Sequence, residues 1–588
     1  MPDEGGSPKL AASDGKDHPA AADVSLPRGG SPKLAASLAQ NRPLDGSAGV
    51  PPAATRWWRG ASIYQVYIRS FCDSNGDGQG DLPGVLSKLD YIAALGVDAI
   101  WLSPLHPSPN RDWGYDVCDY EGVQPDYGTL DDFKALVEAV HARGLKLILD
   151  EVLAHTSDEH AWFAASLGIS GRDGDAGKKD WYVWADPKDD GTVPNNWLSV
   201  FGGPAWAYQP ARRQYYHHKF LRQQPKLNWT DSGAKAAVLD VLDTWMARGV
   251  DGFRLDVANA FLHDVTLSDN PAIPARARDG TAWSAAANMQ RHLNDANLEA
   301  NKALLDTVRR RVEAFKNRFV FGEFSEEFER AGCYLPPDKG LHAGYNFALL
   351  LASGPEAIAA HLRTLAGYPD HWPCISFSNH DVVRTVSRFG GGPGGDPAIA
   401  KLYLALLLAM RGTILLYQGE ELGLPEVDLR RDQLRDPVGD LYYPLFKGRD
   451  GCRTPMPWDG AAPNLGFTTG TPWLPSGPAH AGLSVAAQEA DPGSVLAYAR
   501  TLLGRRRGSA ALRLGNLELI ETPLPVIAFL RQADGEKLLC AFNPGREPAR
   551  LDCPSLAQAQ PLDWGCGHTR LSPGGLDLGP LAAWFGKF

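Results

Sequence analysis

The sequence predicts an α/β fold: a closed (β/α)8 TIM barrel with an inserted subdomain after its third strand and a C-terminal antiparallel β domain. Three observations carry this. Short apolar runs alternate with amphipathic helical stretches such as DDFKALVEAVHARG and AKAAVLDVLDTWMARG, the pattern of a parallel sheet. Acids or His stand at the C-terminal ends of those runs: Asp256 in GFRLDVANA, Glu323 in VFGEF, and Asp381 in FSNHD. A closed barrel gathers strand C-termini into one site. No GxGxxG follows the first run, which counts against an open dinucleotide-binding sheet.

In chain order, residues 1–55 are rich in Gly, Pro, Ala and Ser, and the nonapeptide GGSPKLAAS occurs at 5–13 and again at 29–37. Such a tail buries too little apolar area to fold and reads as solvated. The catalytic body is expected over 56–515. Its strand runs are SIYQVYIRSF, VDAIWLSP, GLKLILDEVLAH, GVDGFRLDVA, FVFGEF, PCISFSNHD and GTILLYQGEE, the last being the eighth-strand candidate. Residues 156–222 are aromatic and Gly-rich and too long for an ordinary βα loop, so they read as a subdomain. A second insertion, 424–485, follows the eighth strand. After about 515 the texture becomes β-propensity with turns, predicting a β-sandwich domain over 516–588.

The bulk numbers exclude several classes. Net charge is -11 with Lys and Arg dispersed, which argues against a nucleic-acid partner. No apolar stretch approaches the roughly 18 residues of a membrane span, and Leu402–Met410 reads as a buried helix. The first residues, MPDEGGSPKL, lack the basic and apolar regions of an export signal. Eight scattered cysteines with no CxxC pair predict free thiols and a cytoplasmic setting. Seventeen Trp supply flat apolar faces suited to sugar rings or to core.

Glycosidic bond cleavage needs one carboxylate as nucleophile or base and one carboxylic acid to protonate the leaving oxygen. Asp256 and Glu323 fit those two roles. Glu323 lies in FVFGEF, where desolvation is expected to raise its pKa and keep a proton available. Across Tyr64 to Trp458 the motifs resemble glycoside hydrolase family 13, the α-amylase family, in its exo-acting α-glucosidase branch. That resemblance implies further roles. Arg254, two residues before Asp256, would hold the nucleophile ionised and lower its pKa. Asp381 with His380 would bind sugar hydroxyls and steady the transition state, and His155 of DEVLAHTSD would also bind the sugar. Asp116 of DWGYDVCDY with Arg449 of FKGRDGCRTPMPW would close the pocket behind one terminal glucose, Arg453 being the other arginine the string offers. Phe201 would be a pocket wall, weighed against plain core packing.

Two strings depart from the family. Ala154-His155 replaces the usual Asn-His, so the amylase-type calcium site is not expected. Gln224-Pro225-Lys226-Leu227-Asn228 has Lys226 where the family carries an acid. A different cation site is predicted at Asp73, Asn75, Asp77, Gln79 (through its carbonyl) and Asp81. Oxygens there alternate as in the first half of an EF-hand loop, and the ion would be a structural Ca2+ or Mg2+; an ion-free Asn/Asp/Gly turn cluster is the alternative. The activity implied is a retaining α-glucosidase acting on short maltose-type α-glucosides, with transglucosylation. Oligo-1,6-glucosidase and sucrose- or trehalose-acting chemistries stand as alternatives, since Val257 leans toward α-1,6 linkages. A non-catalytic transporter-subunit relative is the remote one; the presence of all three acids opposes it. The expected partner is a small glucoside, with no membrane and no nucleic acid.

Overall fold

The computed structural model describes residues 56–168, 175–275, 285–325 and 332–588. The duplicated nonapeptide falls outside them. Strands β1 (Ser62–Val66), β2 (Ala99–Leu102) and β3 (Lys146–Glu151) open the barrel, and β4 (Trp184–Ala185), β5 (Trp206–Gln209) and β6 (Gln214–His217) form a separate small sheet. The barrel continues through β7 (Gly252–Leu255), β8 (Phe319–Phe324), β9 (Ala343–Asn346), β10 (Cys374–Ile375) and β11 (Thr413–Tyr417). All eight barrel strands pair in parallel in the order β10-β11-β1-β2-β3-β7-β8-β9. A single parallel bridge, Gly344 to Pro373, joins the two ends and closes the cylinder.

These strands read as near-continuous apolar runs because both faces are covered, by helices outside and by stacked side chains inside. Every residue of β1, β2, β7, β8 and β11 is buried. The helices are amphipathic and capped. Helix Leu130–Ala142 begins at a capping box between Thr129 and Asp132 and buries Phe133, Leu136, Val137 and Val140. Helix Pro397–Ala409 buries nearly its whole length, including Leu402 to Leu408, as expected of that stretch.

One barrel strand escaped the sequence reading. β9 has the sequence AGYN, without the β-branched residues that mark a strand, and its Gly344 packs so close to Phe324 that a Cβ would lie 2.3 Å from the ring. Another run ends early. β10 covers two residues of PCISFSNHD, so Asn379, His380 and Asp381 lie on the loop beyond it.

Between β3 and β7 the chain forms the antiparallel sheet β4-β6-β5 around the stacked pair Trp197 and Trp206. The stretch 424–485 contributes short helices, among them Pro437–Tyr442, and no strand. The C-terminal β strands are β12 (Asn516–Ile520), β13 (Ile527–Ala533), β14 (Glu536–Asn543), β15 (Ala549–Asp552), β16 (Gln560–Cys566), β17 (Thr569–Ser572), β18 (Gly575–Leu578) and β19 (Ala582–Lys587). They make a five-stranded sheet, β12-β13-β14-β19-β16, and a three-stranded one, β15-β18-β17, both antiparallel. Two buried arginines tie the chain before this region, and the region itself, to the end of helix Pro397–Ala409: Arg506 on helix Val495–Gly508 and Arg531 on β13. Arg506 donates to the carbonyls of Leu408 (2.7 Å), Met410 (3.2 Å), Gly412 (2.7 Å) and Leu512 (2.9 Å). Arg531 donates to those of Ala409, Leu512 (3.0 Å) and Gly515 (3.0 Å). All eight cysteines are free thiols, and no helix of the described residues is long and apolar enough to cross a membrane.

Candidate active site

The strand ends deliver their acids to one point, and Arg254 of β7 sits at its centre. Its side chain is fully buried, with Nη1 donating to Asp150 of β3 (2.7 Å) and to Asp256 just past β7 (2.8 Å). Nη2 reaches Glu323 of β8 and the Tyr345 hydroxyl of β9 (3.1 Å), and that hydroxyl donates to Glu323 Oε2 (2.6 Å). One guanidinium thus holds three carboxylates from three neighbouring strands. The indole of Trp101 on β2 lies 5.5 Å from its centre.

Asp381 stands opposite, in a second cationic setting. It accepts from Arg453 Nη2 (2.8 Å) and Arg449 Nη1 (3.3 Å). His380 behind it shares hydrogen bonds with Gln65 (2.8 Å) and with the Tyr115 hydroxyl (2.5 Å) and stacks on the Tyr115 ring. Burial pushes His380 down to about 3, so its ring is neutral.

A cavity of about 260 Å³ opens over these groups. Of the residues named from sequence, Asp256, Glu323, Asp381, His155, Phe201 and Arg449 line it. Arg254 and His380 lie behind the acids. His155 bonds the Tyr115 carbonyl (2.8 Å) and Gln224 (3.3 Å), and Phe201 lies under the Arg449 guanidinium at 5.4 Å.

Asp116 does not face Arg449. Fully buried, it accepts from Ser108 Oγ (2.7 Å) and from the N–H groups of Arg111 (2.9 Å) and Asp112 (3.1 Å), spending its oxygens on folding its own loop. The acid that meets Arg449 is Asp112, at 2.8 Å, and Asp436 braces the same guanidinium at 2.9 and 3.0 Å. The string DWGYD offers two aspartates, and only the loop's path decides which one turns inward.

The electrostatics also correct the sequence reading at Asp256. Its pKa was expected to fall beside Arg254, yet burial, assisted by Asp150 and Asp381, raises it to about 7 against the pull of that cation. Burial outweighs the attraction of Arg254, and the neighbouring carboxylates of Asp150 and Asp381 add repulsion that this one cation does not cancel. Glu323 is raised to about 7 as expected, burial being the chief cause. At Asp381 burial also acts upward, but His380, Arg449 and Arg453 hold the carboxyl well below the usual range. Asp150 and Tyr345 were not singled out from sequence. Asp150 carried the same signal as the others, an acid at a strand's C-terminal end; Tyr345 lay on the unrecognised β9.

Val257, next after Asp256, has φ 38°, in the left-handed region that a β-branched residue rarely enters. It lines the cavity.

The Asp73–Asp81 loop curls through left-handed Gly76 and Gly78, and its donors are all oxygen, the chemistry hard cations take. Asp73 accepts from the N–H groups of Asn75 (2.9 Å), Gly76 (2.8 Å) and Gly78 (2.8 Å) and from Thr468. Asp81 accepts from Ser74 (3.0 and 2.8 Å) and caps the next helix through Gly84 N–H (2.6 Å). Asn75 and Asp77 are exposed and each accepts one N–H, from Asp77 and Gln79 (2.9 and 2.8 Å). Fit to a cation is therefore partial, with Asp73 and Asp81 already engaged. Among the described residues no group of three or more His, Cys, Asp or Glu side chains stands together as a metal site.

A parallel barrel that presents an ionisable carboxylate, a buried protonatable glutamate and a third, strongly ionised acid to one small cavity defines a glycoside hydrolase. Residues 65–515 match the alpha-amylase catalytic-domain family, well over half the chain, and the protein belongs to that family. It is 46% identical over 515 residues to a probable alpha-glucosidase of Rhizobium meliloti (strain 1021), covering 86% of this chain and 92% of that protein. It is 35% identical over 538 residues to an oligo-1,6-glucosidase of Heyndrickxia coagulans, covering 85% and 94%. Among solved structures it superposes on the alpha-glucosyl transfer enzyme XgtA with a TM-score of 0.87 and 45% identity, over 91% of this chain and 99% of that one.

Proposed function

We propose that the protein is an exo-acting, retaining α-glucosidase that removes one glucose from the non-reducing end of short α-glucosides and also passes it to other sugar hydroxyls. The observation that supports the exo reading is the cluster of Arg449 with Asp112, Asp381 and Phe201 in the cavity lining, with Asp436 bracing the same guanidinium. Relatives named alpha-glucosidase and alpha-glucosyl transfer enzyme support hydrolysis and transfer respectively.

The steps follow from the geometry. Asp256 attacks the anomeric carbon while Glu323, protonated in its buried setting, gives its proton to the departing oxygen. Asp381, ionised, accepts hydroxyl hydrogen bonds that strengthen as the ring becomes cationic. Glu323 then takes the proton of the incoming water or sugar hydroxyl, which attacks from the face the leaving group vacated, so the α configuration returns. Asp256→Asn should lower kcat by roughly 10⁴-fold or more; near-normal hydrolysis of p-nitrophenyl α-glucoside by that variant would sink the assignment.

A preference for α-1,6 linkages is the second reading, favoured by Val257 in the cavity wall and by the oligo-1,6-glucosidase relative. Product chromatography on maltose and isomaltose side by side decides it, the higher kcat/KM naming the linkage. The eight free thiols support a cytoplasmic setting, which cell fractionation checks. The reading also includes a structural Ca2+ or Mg2+ at Asp73–Asp81, supported by its alternating oxygens and exposed Asp77. Elemental analysis should find about one equivalent, lost together with thermal stability in Asp77→Ala; a metal-free wild type discards it.

A further inference from the structure

Lys226 is the odd residue of the Gln224–Asn228 string, and nothing in the catalytic steps uses it. Its main chain is stitched into the inserted subdomain: its N–H donates to His217 O (2.9 Å), its carbonyl accepts from Val183 (3.1 Å), and it bridges to His155. The residue is 2% exposed, and its side chain runs across to the loop after β7, where Nζ donates to the carbonyls of Ala260 and Phe261, the latter at 3.1 Å. No carboxylate within the described residues pairs with it. The nearby acid Asp295 is engaged by Lys219 (2.9 Å), His292 and Asn270. His217 and His263 on either side are driven toward their neutral forms, by burial first and then by Lys226 itself.

The segment it reaches is the turn that carries the nucleophile. A buried carbonyl needs a donor, and those of this turn can be accounted for one by one. Val257 O accepts from Ala260 N–H (2.9 Å), Ala258 O from Asn301 Nδ2 (2.9 Å), and Asn259 O from Asn297 N–H (2.8 Å). Ala260 O and Phe261 O, on residues at most 1% exposed, are served by Lys226. The turn begins at Val257 in its left-handed conformation, which persists only if the surroundings over-determine it. Its near end is fixed by Arg254 on Asp256 and its far end by Lys226.

We infer that Lys226 is a positioning residue for the nucleophile: by donating to Ala260 O and Phe261 O it clamps the turn Val257–Phe261 to the inserted subdomain and so sets where Asp256 stands. This rests on the reading of Asp256 as nucleophile. Lys226 touches no substrate atom. Its effect should therefore appear in the rate of attack on the anomeric carbon and not in glucose binding.

The test uses the full chain and a fluorinated α-glucosyl fluoride, from which Asp256 displaces fluoride to leave a slowly hydrolysed ester, with peptide mapping to locate the label. In Lys226→Met, which keeps the length and loses both donors, the labelling rate constant should fall about 10- to 100-fold per titrated active site, with the inhibitor's Ki within about twofold. In Lys226→Gln, which keeps an N–H donor, the fall should be smaller, roughly 3- to 10-fold. Should the Met variant not fold, the Gln variant alone decides by the same criterion. Wild-type labelling rates per active site in the folded variant, or a loss confined to Ki, overturns the inference. A label found elsewhere than Asp256 in the unaltered protein overturns the underlying reading instead, which keeps the two failures distinct.

Discussion

Arg254 and the pair Arg506 and Arg531 are buried equally well and do opposite work. Arg254 faces Asp150, Asp256 and Glu323, and against the effect of burial these acids and their neighbours hold it firmly charged. Arg506 and Arg531 face main-chain carbonyls, and burial lowers both, Arg531 to about 9. The first arrangement makes an electric field where charge will develop in a reaction. The second uses guanidinium donors to satisfy carbonyls at and just past the end of helix Pro397–Ala409 and, through Arg531 of β13, to dock the C-terminal sheets on it. A buried arginine is thus not one motif: its partners decide whether it serves chemistry or assembly.

Four experiments break or sharpen this contrast. Arg254→Met leaves three carboxylates converging without their shared cation; kcat/KM should fall about 10³-fold or more, and a loss under tenfold would show the field to come from elsewhere. Arg506→Met leaves the carbonyls of Leu408, Met410, Gly412 and Leu512 without this donor. It should cost on the order of 3 to 5 kcal/mol in a denaturant titration with kcat within about twofold, and lost kcat without lost stability would erase the distinction. Asp112→Asn should raise KM for maltose about tenfold, whereas Asp116→Asn, acting only through its loop, should change it less; the reverse order would return the pocket wall to Asp116.

The smallest effect is in pH. Asp256 and Glu323 both bind protons up to about 7, so the acid limb of kcat/KM should lie within about one unit of that value as Asp256 ionises. Their raised pKa values have a matching sign in stability. The contribution is fully present below the ordinary carboxylate pKa and is lost as pH rises through 7. Asp381 has the opposite sign, stabilising above the ordinary carboxylate pKa and losing that as pH falls. Asp256→Asn should therefore gain on the unaltered protein by on the order of 1 kcal/mol between pH 5 and pH 7.5, measured by thermal unfolding at each pH; no change across that range would mean Asp256 is ionised throughout.

Much of this was legible in the chain. Apolar runs with β-branched residues declared their strands, and an acid past the end of a run declared the site, because a barrel must send every strand's C-terminus to the same face. β9 was illegible, since AGYN is held by close packing of Gly344 on Phe324 and not by propensity. With it went Tyr345. The choice of Asp112 over Asp116 depends on which aspartate's oxygens a loop consumes in folding, and the pKa of Asp256 depends on how deeply it is buried and on which other acids stand near it. Both are properties of the assembled structure, not of spacing.

The barrel's closure carries a last consequence. Seven of its eight seams are ladders, while the eighth, between β9 and β10, is one bridge at Gly344 and Pro373, and proline offers no amide proton to lengthen it. Local opening should start along that line. Amide exchange in β9 and β10 is expected to outpace that in β1 to β3, so the cylinder breathes beside Tyr345 and the glutamate that it holds.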